Sequence, residues 1–172
     1  VGTNGYQDVD IGGVDINTVP GLNSNVQYSF QIVVSGRLYN ITFTTPNNNT
    51  SDITMGDIVN QINTVFVNNS VPARVVVTDF TQTTPTNTYG YLRFEDTTIG
   101  TNSSILIKPS TANNPPPYLI TSLAGTLLEP TNGNAVGIRL SSTNPSVEAR
   151  RMITHMVLND KIQKASNKSY KI

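Results

Sequence analysis

From Val26 the chain alternates: Val26, Tyr28, Phe30, Ile32 and Val34 are separated by Gln27, Ser29 and Gln31, the two-residue period of a strand with one apolar face. Ser35-Gly36 is a tight-turn pair, and Leu38 to Phe43 resumes the alternation with Tyr39, Ile41 and Phe43 on one side. Residues 26–45 are therefore expected to form a hairpin. Pro46, which cannot donate to a ladder, and the run Asn47 to Asn49 end it. The period then changes. In TSDITMGDIVNQINTVF, Ile58, Ile62 and Val65 or Phe66 recur at helical spacing, while Asp57, Asn60, Gln61 and Asn63 fill the other face. Ser51 or Thr54 stands where a helix cap is needed. The spacing predicts an amphipathic helix over 52–67, lying on a sheet.

Three more strands follow by the same reading. Arg74 to Phe80 is a β-branched run that pairs with Tyr89 to Glu95 across the loop TQTTPTNT, and Ser104 to Lys108 is a short strand. A Pro-rich approach leads to a brief apolar turn or helix at Tyr118 to Leu123, and Ile138 and Leu140 are expected in a last strand. Residues 1–25 hold five of the twelve glycines, Gly2, Gly5, Gly12, Gly13 and Gly21, with only fragments of alternation, and are expected to be an extended arm or loop outside the core. Asn144-Pro145 reads as a cap followed by Pro at the first helical position, and the segment to about Ser166 has an apolar stripe of Ala149, Met152, Ile153, Met156 and Val157. The expected fold class is α+β: mainly an antiparallel β sheet or sandwich with one packed amphipathic helix, plus a C-terminal helix. Its divisions are an N-terminal arm over 1–25, a β-rich core over 26–141 and a C-terminal helical arm over 142–172.

Composition narrows the function class more than the fold. At 172 residues the chain can bury one core, and with only 13% charged residues its surface must be largely neutral and polar. Such a surface suits a protein packed among copies of itself, and it equally suits an extracellular protein. Formal net charge is zero, which removes the long-range attraction expected of a binder of nucleic acid or of anionic membrane. No apolar run approaches the roughly 20 residues of a membrane span. Without Cys there is no disulfide framework, thiolate metal site or thiol nucleophile. The start at Val1, without Met, leads us to expect an initiator or a leader removed from this end. Six Asn-x-Ser/Thr patterns, at Asn40, Asn48, Asn49, Asn68, Asn102 and Asn167, are about what this Asn, Ser and Thr content produces by chance.

Charge is uneven along the chain. Asp8, Asp10 and Asp15 lie in the first fifteen residues, whereas Arg150, Arg151, Lys161, Lys164, Lys168 and Lys171 make six of the eleven basic residues and lie near the other end. The acidic start of one copy is therefore expected to meet the basic end of another, and Met152, His155 and Met156, near the apolar face of the last helix, are further candidates for a subunit interface.

Catalytic chemistry finds no foothold. His155 is the single histidine, which rules out a serine triad or a two-histidine zinc site within one chain. Asp8-x-Asp10 with Asp15 downstream has oxygen ligands at a spacing that could hold Ca²⁺, but it lacks the ligand-rich loop and closing Glu of an EF-hand, so solvated or partner-facing acids are the better account. Glu95 and Asp96 are adjacent at a strand end, where no face-to-face carboxylate pair is evident. The basic C-terminal segment carries no aromatic until Tyr170, so base stacking is unsupported, and nucleic acid is not the expected partner. No enzyme activity, metal or cofactor is expected.

The order hairpin, helix, two strands, late strand and apolar turn resembles a small α+β module of tailed-bacteriophage virion structural proteins, and more loosely of flagellar hook-associated proteins. The matching residues are Thr54, Asp57, Ile58, Ile62 and Asn63 in the helix, Gly100, Ser103, Ser104, Ile105 and Ile107 in the late strand, and Leu123 with Gly125 at the end. Minor capsid proteins of large DNA viruses show a similar strand, helix, strand order. The resemblance spans roughly residues 26–125 and departs from the module at the Pro115 to Pro117 triplet and the Asn47 to Asn49 loop. It implies a non-enzymatic virion component, capsid or tail associated, whose partners are further copies of itself and other virion proteins, with no membrane involved. The alternative is a cell-surface or fibre protein acting in adhesion or glycan binding, for which Tyr89, Tyr91 and Tyr118 are the available platforms.

Overall fold

A computed structural model describes residues 1–78 and 90–135. Over this span the protein is α+β, with two antiparallel sheets and two helices. In chain order the elements are β1 (Tyr6–Asp10), β2 (Gln27–Val34), β3 (Arg37–Thr44), α1 (Met55–Asn68), β4 (Ala73–Thr78), β5 (Tyr91–Asp96), β6 (Ile105–Lys108), α2 (Leu119–Ser122) and β7 (Thr126–Leu127). One sheet has the order β4-β5-β1-β7 and the other β3-β2-β6. None of the helices among the described residues is long and apolar enough to cross a membrane.

The hairpin forms as its pattern dictates. Ser35 and Gly36 both have positive φ, 47° and 84°, as a type I′ turn requires, and the register runs from Val34 opposite Arg37 to Gln27 opposite Thr44. Tyr28, Phe30, Ile32 and Val34 face the core, and Ile41 and Phe43 join them from β3. Ser29 and Gln31, on the other side of β2, are buried as well. The Pro-rich segment explains the first of these. Past the end of β6, Pro117 accepts from the Ser29 amide at 2.9 Å and Pro116 from the Ser29 hydroxyl at 2.6 Å. Proline has no N–H to offer, yet its carbonyl accepts, so this stretch serves as an acceptor-only extension of the sheet.

α1 starts one turn later than the first polar residue of its segment. Thr54 is its cap, in a capping box: the Asp57 amide donates to the Thr54 side chain and the Asp57 carboxylate accepts from the Thr54 amide. Met55, Ile58, Ile62 and Phe66 are buried, while Asn60 is exposed. Phe30 of β2 lies where the two sheets and α1 converge, edge-on to Phe94 of β5 at 5.4 Å and to Phe66 of α1 at 6.2 Å between ring centroids.

The N-terminal residues correct the expectation of an arm. β1 is an inner strand, paired with β5 on one side and β7 on the other, and Val9 is fully buried. Residues 126–134 run back along the first ten, with bonds between Leu128 and Asp8, Tyr6 and Thr131, and Thr3 and Asn134. Gly5 sits so close to the Ser103 carbonyl that a Cβ there would overlap it. β1 escapes the alternation test because its core-facing residues are Gln7 and Val9, only one of them apolar. The expected C-terminal helical arm, and the strand at Ile138 and Leu140, lie outside the described residues.

Two amide side chains hold sheet edges. Asn63 of α1 donates to the Val75 carbonyl and accepts from the Val75 amide, both at 2.8 Å, at the outer side of β4. Gln7 accepts from the Ile107 amide of β6 at 2.7 Å and donates to the Leu128 carbonyl at 3.0 Å. Ile62→Asp places a carboxylate in the core and is expected to abolish cooperative unfolding. Asn63→Ala leaves two backbone groups unpaired and is expected to cost about 2 kcal/mol, whereas exposed Asn60→Asp stays within about 0.5 kcal/mol of the parent, all measured by urea titration.

Candidate functional site

Asp8 and Asp10 project from the same side of β1, the side away from the core. Asp8 lies directly across from Arg93 of β5, and the two form a bidentate pair, Nε to Oδ1 at 2.7 Å and Nη2 to Oδ2 at 2.8 Å. The Arg93 guanidinium also lies 3.7 Å from the centroid of the Tyr6 ring, next on that face. Its hydrogen bond to Asp8, aided by the charges of Asp8 and Glu95, raises the Arg93 pKa against the opposing effect of burial. Both Asp8 oxygens are thus engaged inside the fold and its residue is only 7% exposed. Asp8 does not present the partner-facing acid that the sequence leads one to expect, nor a free cation ligand.

Asp10 and Asp15 remain at the surface in turns of their own. Asp10 accepts from the Gly12 amide at 2.9 Å, and Asp15 accepts from the Asn17 amide at 2.7 Å and from the Thr18 hydroxyl at 3.3 Å. Asp10 borders a hollow of about 160 Å³ with Gly12, Gly13, Gly90 and Tyr91. The structure does not gather the three acids into one site, and no group of three or more acids and histidines able to hold a metal occurs among the described residues. Arg150, Arg151, Met152, His155, Met156, Lys161 and Lys164 lie outside the described residues.

Glu95 and Asp96 point to opposite faces of β5, so they cannot act as a carboxylate pair. Glu95 accepts from Arg74 at 2.5 Å on the outer face. Asp96 is fully buried and accepts from the Ser35 hydroxyl in the β2–β3 turn, from the Thr98 amide at 2.8 Å and from the Thr98 hydroxyl at 2.7 Å. Burial pushes this carboxyl up, but the hydrogen bonds together outweigh it and hold its pKa below the ordinary value. Of the three tyrosines offered as glycan platforms, Tyr91 is half-buried beside the Asp10 hollow, and Tyr118 has its hydroxyl buried with no hydrogen-bond partner among the described residues, with burial raising its pKa. Tyr89 lies outside the described residues.

One surface feature is absent from the residues singled out by sequence. Val33 of β2 pairs with Leu38 of β3 and with Leu106 of β6, so the three form a row across the outer face of the three-stranded sheet. Leu38 is 50% exposed and Leu106 38%. The signal is present in the alternation: Leu106 lies between buried Ile105 and Ile107, and Leu38 beside Tyr39, which packs against the core, at positions where a solvated strand carries polar side chains. The next row, Asn40, Gln31 and Lys108, is polar, and Gln31 donates to Asn40 at 2.8 Å and to Thr111 at 3.2 Å.

Asp8→Ala and Arg93→Ala should each destabilise the fold by about 2 kcal/mol in urea unfolding, with the double variant costing less than their sum, while Asp10→Ala leaves stability unchanged within about 0.5 kcal/mol. Because the Asp96 pKa is lower folded than unfolded, its contribution is present above about pH 4 and is lost as pH falls through the folded value. Urea midpoints of the parent should therefore drop below about pH 4 more steeply than those of Asp96→Asn. In comparisons with known proteins, no family model, curated sequence or solved structure matches this chain.

Proposed function

We propose that this chain is a non-enzymatic structural subunit of a virion, capsid or tail associated, that works by packing against copies of itself and other virion proteins. The observation that carries this reading is the Leu38, Val33 and Leu106 row, an apolar band on the outside of a sheet. Water on such a band is favourably released when another surface covers it, and the low charge of the chain as a whole puts little electrostatic repulsion in the way of close packing. The resemblance of the helix and late strand to tailed-bacteriophage modules supplies the virion part of the reading. Asn63, one of its matching residues, has a physical role that such a module would need, since it holds the helix to the edge of a sheet.

A second reading, a cell-surface or fibre protein that binds glycans, is favoured by one local feature. Tyr91 stands beside the Asp10 hollow, and an aromatic face next to a carboxylate is the combination with which proteins hold sugars. Binding on a glycan array that Tyr91→Ala abolishes would move the assignment to this reading.

Mass by light scattering on the full chain over a wide concentration range tests the structural reading. We expect a defined oligomer or larger assemblies visible by electron microscopy, and a fall in mass for Leu106→Asp with an unchanged far-UV spectrum. A single-chain mass at every concentration would overturn it.

A further inference from the structure

We propose that β3 is a docking edge and that its occupant is β3 of a second copy, joined antiparallel about a two-fold axis into one six-stranded sheet. The inference rests on the structural-subunit reading and names the surface through which two subunits first meet.

The phase of the hairpin ladder fixes which backbone groups are free. The Thr45 amide donates to the Val26 carbonyl at 3.0 Å, and Val34 pairs with Arg37 across the two-residue turn. The odd-numbered residues from Arg37 to Thr45 therefore bond to β2, and the N–H and C=O of Leu38, Asn40, Thr42 and Thr44 point away from it. Among the described residues no hydrogen bond reaches those eight groups. The other three sheet edges are treated differently. β4 has Asn63 bonded to both backbone groups of Val75, β6 has Gln7 on the Ile107 amide, and β7 is two residues long. β3, at eight residues, is as long as any strand among those described; α1 packs against it, but among the described residues no side chain bonds to its edge, and it has no proline, no bulge in its register and no charge except Arg37 at its first position.

A second copy fits this edge better than an unrelated strand because the edge is complementary to itself. One antiparallel register, with Ile41 at the two-fold axis, places Leu38 opposite Thr44 of the other copy and Asn40 opposite its Thr42. All eight groups of each copy are then paired. The facing side chains are neutral, and the two Arg37 residues fall at opposite ends of the pair, so no like charges meet. Zero net charge on the chain removes long-range repulsion between copies. The two-fold axis stands perpendicular to the joined sheet, which puts both Leu38, Val33 and Leu106 rows on the same outer side. That is a larger apolar surface for the next subunit.

Amide exchange by NMR on the full chain, at low and high concentration and alongside light scattering, tests the assignment. The expected result is that the Leu38, Asn40, Thr42 and Thr44 amides slow by about tenfold or more as mass doubles, while the Tyr39 and Ile41 amides, already bonded to β2, change far less. Thr42→Lys should return the mass to one chain with the melting temperature retained. If that variant loses its fold, Thr44→Lys at the end of the strand serves in its place. Oligomers in which those four amides still exchange freely would overturn the β3 edge and leave the structural reading standing. A single-chain mass at all concentrations would overturn both.

Discussion

A sheet of three or four strands has as many peptide groups at its edges as many larger sheets, but less interior to spread them over, and each unpaired group shut away from water costs a hydrogen bond's worth of stability. That constraint organises this molecule. α1 and the N-terminal strand each send one primary amide to a strand edge, Asn63 to Val75 and Gln7 to Ile107, and a carboxamide is the side chain best suited to it because it offers a donor and an acceptor with peptide-like geometry. The Pro115 to Pro117 stretch solves the same problem at Ser29 with carbonyls alone. Once the edges are held, the apolar core around Phe30, Phe66 and Phe94 can be shared by two sheets and a helix.

The buried polar groups follow from the same need. Asp96 would be a costly residue to bury by itself, yet it sits where β5 ends and where the β2–β3 turn arrives from the other sheet, and its carboxylate takes hydrogen bonds from both sides of that junction. One of the donors is Ser35, a non-glycine residue at positive φ. Ser103 extends the junction: its hydroxyl accepts from the Gly5 amide at 2.7 Å and donates to the Thr98 carbonyl at 2.9 Å. On the outer face of the four-stranded sheet, by contrast, two ion pairs lie across neighbouring strands, Asp8 with Arg93 and Glu95 with Arg74.

Much of this was legible in the sequence wherever an apolar residue marks a buried position. The hairpin, α1, β5 and β6 are written in periodicity, and the Thr54 cap is written in its spacing to Asp57. What stayed hidden is hidden for one reason. β1 buries Gln7, β2 buries Ser29 and Gln31, and β5 buries Asp96, so the alternation test counts those positions as solvent. Asn63 falls by its spacing on the polar face of the helix, and that face is where a sheet edge waits. The acids at 8 and 10 look alike in sequence; only the strand register reveals that one has Arg93 across from it and the other does not. The Leu38, Val33 and Leu106 row is hidden in the opposite sense, since apolar residues outside a core are not separated from core residues by composition.

The placement of β1 also sets an order of events. Its partners come late: Arg93 is 85 residues beyond Asp8, Ile107 is 100 beyond Gln7, and Leu128 is 121 beyond Gln7. β1 therefore has no partner until β5, more than eighty residues later, is in place, and loop closure over such separations is slow compared with forming the β2–β3 hairpin. During that interval β5 has β4 for a neighbour on one side and an empty slot on the other. That slot is closed only when β1 pairs with β5 along Tyr6 to Val9, so the four-stranded sheet is completed by contacts distant in sequence.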